Sequence, residues 1–103
     1  PQPRNQKEID YIAHDVVEQV AREAREQGCA FGLSLGDEMF DNLSLYDSLN
    51  RTVGTIGLPW YNTVGNHDLN YDSVDNEGAT ETFKRVFGPT YYSFDYGQVH
   101  FVV

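Results

Sequence analysis

The sequence is short of cysteine, of basic residues and of long apolar runs, and each shortage excludes a class of protein. Cys29 is the only cysteine, so no disulfide can form within the chain. Seven lysine and arginine residues stand against sixteen acidic residues, which gives a net charge of −9. These basic residues are scattered, whereas a general nucleic-acid surface needs them clustered. No apolar run approaches the length of a membrane-spanning helix, so the sequence predicts no membrane span.

The pattern of apolar residues predicts an α/β protein, with a mixed sheet and helices packed on one of its sides. Apolar residues recur at helical spacing from Lys7 to Gln27, and Gly28 is expected to end this helix. Two continuous apolar runs, Cys29–Leu35 and Leu58–Val64, are typical of strands without a solvent-exposed face. Cys29 is then expected to be a small core residue.

The other predicted elements complete the first part of a layered α/β fold. In chain order they are a loop over residues 1–6, a helix that is capped by Asn42 or Ser44 and ended by Gly54 and Gly57, a polar loop over residues 69–79, a helix from Thr80 to Phe87, and a hairpin of Tyr91–Tyr96 and Gln98–Val103 around Gly97.

Each predicted strand ends in a glycine that is followed by polar side chains. Gly36-Asp37 follows the first strand and Gly65-Asn66-His67-Asp68 follows the second. Because open α/β sheets keep their sites at the carboxyl ends of strands, we expect the two motifs to share one site. Carboxylate, amide and imidazole groups suit hydrolysis at a bound metal. The residues alone also allow a simpler interpretation, in which Asp37 caps a turn and Asn66 is an ordinary turn residue.

The two motifs resemble those of the calcineurin-like metallophosphoesterases. The motif order in that family is Asp-x-His, Gly-Asp with a second Asp, Gly-Asn-His-Asp/Glu, and later two histidine-bearing segments. Gly36-Asp37 with Asp41, and then Gly65-Asn66-His67-Asp68, follow this order, and the segment from Gly88 to Val103 is similar to a hairpin that members often carry. The resemblance implies a layered αββα sandwich, of which residues 1–103 would be the N-terminal portion of a single domain.

The chain has no counterpart of the Asp-x-His motif or of the late histidine segments, so we expect a fragment truncated at both ends. Some relatives carry Asp-x-Gln instead, and Pro1-Gln2 would be the remainder of that motif if an aspartate precedes Pro1. We expect such a fragment to bind metal weakly or not at all and to be inactive. The edge of its last strand, Val99–Val103, would favour a homodimer.

The resemblance also implies a role for each motif residue. Asp37, which would bridge two cations, and Asn66 correspond to metal ligands. His67 corresponds to the catalytic histidine that protonates the leaving oxygen, and Asp68 would hold its tautomer. For Asp41, helix capping and a supporting role stay open. The parent protein would use two divalent or trivalent ions, manganese, iron or zinc, to hydrolyse phosphomonoesters or phosphodiesters.

Four further residues and two alternative functions stay open at this point. Glu38 stands where many relatives carry an apolar residue, and no role is assigned to it. Tyr71, Asp72 and Asp75 are candidates for substrate contact, with solvated loop residues as the alternative. The chain would instead be a phosphoesterase-like module that binds or scaffolds a partner if the parent lacks the remaining ligands. The last alternative is a small acidic α/β domain whose motifs are coincidental.

Overall fold

The computed structural model describes residues 2–103 and shows a mixed helix and sheet protein. In chain order the elements are α1 (Gln6–Tyr11), a π-helical segment (Ile12–Val17), α2 (Glu18–Gln27), β1 (Gly32–Leu33), a 3₁₀ turn (Leu43–Leu45), α3 (Tyr46–Gly54), β2 (Trp60–Tyr61), a second 3₁₀ turn (Asn66–Asp68), α4 (Asn76–Ala79), α5 (Glu81–Phe87), β3 (Ser93–Tyr96) and β4 (Val99–Val102). Helices are therefore present wherever the apolar pattern predicts one.

The first predicted helix forms as three consecutive segments, because a π-helical segment separates α1 from α2. Asn5 caps its start, and its side-chain oxygen accepts a hydrogen bond from the backbone N–H of Glu8 at 3.0 Å. The predicted apolar face is only partly covered. Ile9 is fully buried, whereas Val16 remains 42% exposed.

The sheet structure differs from the prediction, because the strands form two separate two-stranded sheets. β1 pairs with β2 in parallel, and β3 pairs with β4 in an antiparallel hairpin. Among the described residues no third strand joins either pair, so the predicted layered sandwich is wrong for this part of the chain. The parallel ladder is short: the N–H of Gly32 donates to the carbonyl of Pro59 and the N–H of Ser34 to that of Tyr61, both at 2.9 Å. Beyond Ser34 the chain turns at Gly36, which has a φ of 99°.

The first strand is also shorter than its apolar run, and this exposes both ends of the run. The backbone N–H of Cys29 donates to the carbonyl of Ala24 at 2.9 Å, so Cys29 completes the end of α2 instead of entering the strand. Cys29 is exposed, and the prediction that it is a core residue is wrong. At the other end Leu35 is 86% exposed, so the run does have a solvent-exposed face.

Aromatic side chains hold the predicted hairpin against the parallel pair. The ring of Phe31 lies in edge contact with the rings of Tyr61, Phe94, Tyr96 and Phe101, at centroid distances between 5.4 and 5.6 Å. Tyr61 and Phe94 stack at 3.8 Å. The two sheets are thus joined through side chains, where the apolar pattern predicts a mixed sheet.

A buried apolar cluster lies beneath the two motif loops. Its fully buried members come from α1, the loop after β1, α3 and α5, and they are Ile9, Met39, Tyr46, Leu49 and Phe83. Burial of each such side chain stabilises the fold by about 1.5–3 kcal/mol. This cluster anchors the loop that follows Asp37, because Met39 is one of its members.

Residues 69–79 are not wholly a loop, as the sequence predicts, because they contain the short helix α4. The side chain of Asp75 caps α4 by accepting a hydrogen bond from the N–H of Gly78 at 2.6 Å. In the described residues, no helix is both long and apolar enough to cross a membrane.

Candidate active site

The two motif loops touch through their glycines. A Cβ atom on Gly36 would lie 3.1 Å from the Cα and N of Gly65. A Cβ atom on Gly65 would lie 2.0 Å from Oδ1 of Asp37 and 2.2 Å from its backbone N. Real Cβ atoms do not approach other atoms that closely, so the contact between the loops requires glycine at position 65. The structure therefore brings the two motifs to one place, as expected from their positions after β1 and β2.

Asp37 lies at the centre of this contact. Its Oδ1 accepts a hydrogen bond from the backbone N–H of His67 at 3.1 Å, and its Oδ2 accepts one from Nε2 of Gln2 at 2.8 Å. Pro1, the other residue of the predicted Pro1-Gln2 remnant, lies outside the described residues. Between residues 2 and 103 no basic side chain forms an ion pair with Asp37.

His67 is oriented by Asp41 and Phe40. Its Nδ1 lies 2.9 Å from Oδ1 of Asp41, and because a carboxylate only accepts, Nδ1 carries the proton in this pair. The ring of Phe40 stacks on the imidazole at 4.4 Å, and the guanidinium of Arg4 lies 5.1 Å from the centre of the Phe40 ring. Asp41 itself has a positive φ of 62°, which is uncommon outside glycine and directs its side chain at this ring.

Asp68 is fully buried and ties the two loops together. Its carboxylate accepts hydrogen bonds from the N–H groups of Gly65 (2.9 Å), Glu38 (2.9 Å) and Met39 (3.3 Å), and from the hydroxyl of Tyr46 (2.9 Å). Burial and the charge of Asp68 raise the pKa of Tyr46, which therefore keeps the proton it donates. Asp68 therefore stabilises the backbone of both motif loops through buried hydrogen bonds.

The hydrogen bonds of Asp68 differ from the prediction that its carboxylate holds the tautomer of His67. In the described part of the chain, the hydrogen bonds of the Asp68 carboxylate all go to groups other than the imidazole of His67, and Asp41 takes that place. The reason is local. The 3₁₀ turn Asn66–Asp68 separates neighbouring side chains, so that the aspartate enters the core while the histidine stays near the surface.

Glu38 is a buried acid to which the sequence assigns no role. Only 2% of it is exposed, and the hydroxyl of Ser34 donates to its carboxylate. Burial raises the pKa of the Glu38 carboxyl, although the Ser34 hydrogen bond lowers it, and the nearby charge of Asp68 raises it further. The one signal in the sequence is an acidic residue where the resembled family often has an apolar one.

Replacing Glu38 by glutamine should stabilise the protein at neutral pH. Because the carboxyl has a higher pKa in the folded chain, the folded state binds the proton more tightly, and stability falls as the pH rises above the unfolded value of about 4.3. Glutamine keeps an oxygen that accepts from Ser34 and carries no charge. The melting temperature of Glu38→Gln, measured with chelator present, should exceed that of the unmodified chain more at pH 7 than at pH 4.

Glu26→Gln is the matched control, because Glu26 is an exposed acid on α2. Its melting temperature should follow that of the unmodified chain at both pH values. A Glu38→Gln variant with the same change in melting temperature at pH 4 and pH 7 would contradict the argument from burial.

The remaining predicted ligand, Asn66, is exposed at the rim of the site. Its backbone carbonyl accepts a hydrogen bond from the hydroxyl of Tyr71 at 2.6 Å, which holds the loop after the motif against it. Among the described residues, no three His, Cys, Asp or Glu side chains form a group that could hold a metal ion.

The other two histidines lie outside the site. His14 is exposed on the first helix, and His100 on β4 contacts Asp95 on β3 at 2.6 Å. Neither was predicted to be a metal ligand. In comparisons with known proteins, no family model matches the chain, and no curated protein or solved structure matches it either.

Proposed function

We propose that this chain carries part of the active site of a metal-dependent phosphoester hydrolase of the metallophosphoesterase type. Asp37 and Asn66 are the proposed metal ligands, and His67 is the proposed catalytic acid. One observation carries the proposal: the backbone of His67 donates to Asp37 while its imidazole is held by Asp41. A carboxylate that can bind a cation and an oriented imidazole that can act as a general acid are thus held side by side.

The donor atoms at this place suit a hard or borderline cation. Asp37 is a half-buried carboxylate, and its two oxygens accept hydrogen bonds from neutral groups of His67 and Gln2. Amide side chains, such as those of Gln2 and Asn66, offer carbonyl oxygens that bind divalent cations without adding charge. Bound ions would acidify a water molecule and neutralise charge on the phosphoryl oxygens.

The residues of this chain would act on the leaving group. Asp41 fixes the tautomer with the proton on Nδ1, which leaves Nε2 as the atom that exchanges a proton with the leaving oxygen. Phe40 restricts rotation of the ring by stacking on it. When water attacks phosphorus, it loses a proton to the solvent and the bond between phosphorus and the alcohol oxygen breaks. The doubly protonated imidazole of His67 gives its Nε2 proton to that oxygen and is left with the Nδ1 proton that Asp41 holds.

The test is hydrolysis of 4-nitrophenyl phosphate and bis(4-nitrophenyl) phosphate by the full-length protein with added Mn²⁺. We expect metal-dependent release of nitrophenol, and we expect Asp37→Asn to abolish it. Removal of the proposed acid in His67→Asn should slow hydrolysis by about 10²–10⁴-fold. Asp47→Asn is the matched control, because Asp47 is an exposed acid on α3, and it should keep full activity.

Either of two outcomes would contradict the proposal. In the first, the folded, metal-loaded protein hydrolyses neither ester, which would favour a module that binds or scaffolds a partner. In the second, Asp37→Asn retains the activity, which would place the reaction elsewhere in the protein.

A further inference from the structure

A groove of about 510 Å³ lies beside the candidate active site, between the loop after Phe40, residues 69–72 and α5. Two residues that line the groove also form hydrogen bonds with residues of the candidate active site. Asp41 lines the groove and holds the imidazole of His67, while Tyr71 lines it and holds the backbone of Asn66. The groove therefore continues from the place where the leaving group of an ester would depart.

The chemistry of the groove suits an organic group that ends in an anion. Leu43 and Leu69 provide apolar surface, and Arg85 on α5 provides the cation. Within residues 2–103 no carboxylate lies at ion-pair distance from Arg85, although the chain carries a net charge of −9. By contrast, the neighbouring Lys84 is paired with Glu81 at 3.0 Å. A planar guanidinium binds carboxylate or phosphate oxygens in pairs.

We propose that this groove binds the alcohol portion of the phosphate ester, and that Arg85 binds an anionic group, a carboxylate or a second phosphate, carried by that alcohol. The inference rests on the proposed function for the identity of the ester. Arg85 would select among substrates and would take no part in breaking the bond. Asp41 and Asp72, which also line the groove, would weaken the selection by their negative charges.

The test compares esters that differ only in the distal group. 4-Methylphenyl phosphate, 4-(carboxymethyl)phenyl phosphate and 4-(phosphonomethyl)phenyl phosphate share a phenol of similar acidity, because the methylene group insulates the anion from the ring. For the full-length protein we expect kcat/KM to be about tenfold higher for an anionic ester than for the methyl ester, as one charge-assisted hydrogen-bonded pair provides. The ester with the larger ratio identifies the preferred anion.

Arg85→Gln should remove this preference by lowering kcat/KM for the anionic esters to about that for the methyl ester. Arg51→Gln is the matched control, because Arg51 is an exposed arginine on α3 outside the groove, and it should keep the preference. Asp72→Asn should increase the preference. Both arginines are exposed, so melting temperatures should show that the variants are folded.

A binding measurement tests the inference even if no ester is hydrolysed. Calorimetric titration with 4-hydroxyphenylacetate, the alcohol product of the carboxymethyl ester, should show binding that weakens about tenfold in Arg85→Gln and not in Arg51→Gln. If no ester is hydrolysed but this binding depends on Arg85, the proposed function fails and the groove assignment stands. A preference for anionic esters that survives in Arg85→Gln would overturn the inference. So would the absence of binding together with equal rates for all esters.

Discussion

Replacing Asp68 by asparagine is expected to destabilise the protein by about 3–5 kcal/mol, a large share of the 5–15 kcal/mol typical of a folded domain. The carboxylate is fully buried and accepts from three backbone N–H groups and one hydroxyl. Asparagine has one oxygen in place of two, and its NH₂ group would face donors. At least one buried N–H would then lose its partner, which costs about 1–3 kcal/mol on its own.

Urea denaturation followed by circular dichroism would measure this loss. Asp72→Asn is the matched control, since Asp72 is exposed, and it should change the free energy of unfolding by less than about 0.5 kcal/mol. Tyr46→Phe removes a single donor to Asp68 and should cost an intermediate amount, about 1–2 kcal/mol. If Asp68→Asn is as stable as Asp72→Asn, the Asp68 carboxylate does not stabilise the two motif loops.

The second large effect is expected from Gly65→Ala, which should separate the two motif loops. The added Cβ atom would meet the backbone N of Asp37 at 2.2 Å, and backbone cannot rotate away as a flexible side chain can. The loops must therefore move apart, and a displacement of about 1 Å at a catalytic site can cost about 10²-fold in rate. We expect metal-dependent hydrolysis to fall by about that factor, together with a loss of about 1–3 kcal/mol in stability.

Gly54→Ala is a control for which the expected change in stability has the opposite sign. Gly54 ends α3, and a Cβ atom there would meet nothing within 4 Å. Alanine should therefore raise stability by about 0.5–1 kcal/mol and leave hydrolysis unchanged. In NMR spectra, the amide signals of Asp37 and His67 should shift in Gly65→Ala and stay in place in Gly54→Ala. Unchanged signals in both variants would show that the two loops do not depend on glycine at position 65.

The hydrogen bond of His67 shows that the neighbour in a sequence motif need not be the partner in the folded chain. The sequence places Asp68 next to the histidine, and a carboxylate beside a histidine is a reasonable candidate for its support. In the folded chain the support comes from Asp41, while Asp68 holds the backbone beneath the site. A variant of Asp41 would therefore affect the imidazole, and a variant of Asp68 would affect the fold. An interpretation from the motif alone would assign the effect on the imidazole to Asp68 and would miss the role of Asp41.

The sequence by itself determined the features that depend on neighbours within a few residues. The periodicity from Lys7 to Gln27 predicted a helix, and Gly97 with its flanking residues predicted the hairpin of β3 and β4. The placement of glycine after two apolar runs also predicted that the two motifs would lie together, and Gly36 and Gly65 do touch. These features follow from local backbone preferences and from side-chain spacing, both of which can be read along the chain.

Only the tertiary structure decided which distant groups became partners and how far the strands extended. The positive φ of Asp41 directs its carboxylate to His67, and no spacing rule encodes that dihedral angle. Glu38 is buried beside Ser34 and Asp68, which come from the first apolar run and from the second motif. In the described residues β1 pairs with β2 and β3 pairs with β4, so the predicted mixed sheet became two sheets that aromatic rings join. Such outcomes depend on packing between segments far apart in sequence, where several arrangements satisfy the same local pattern.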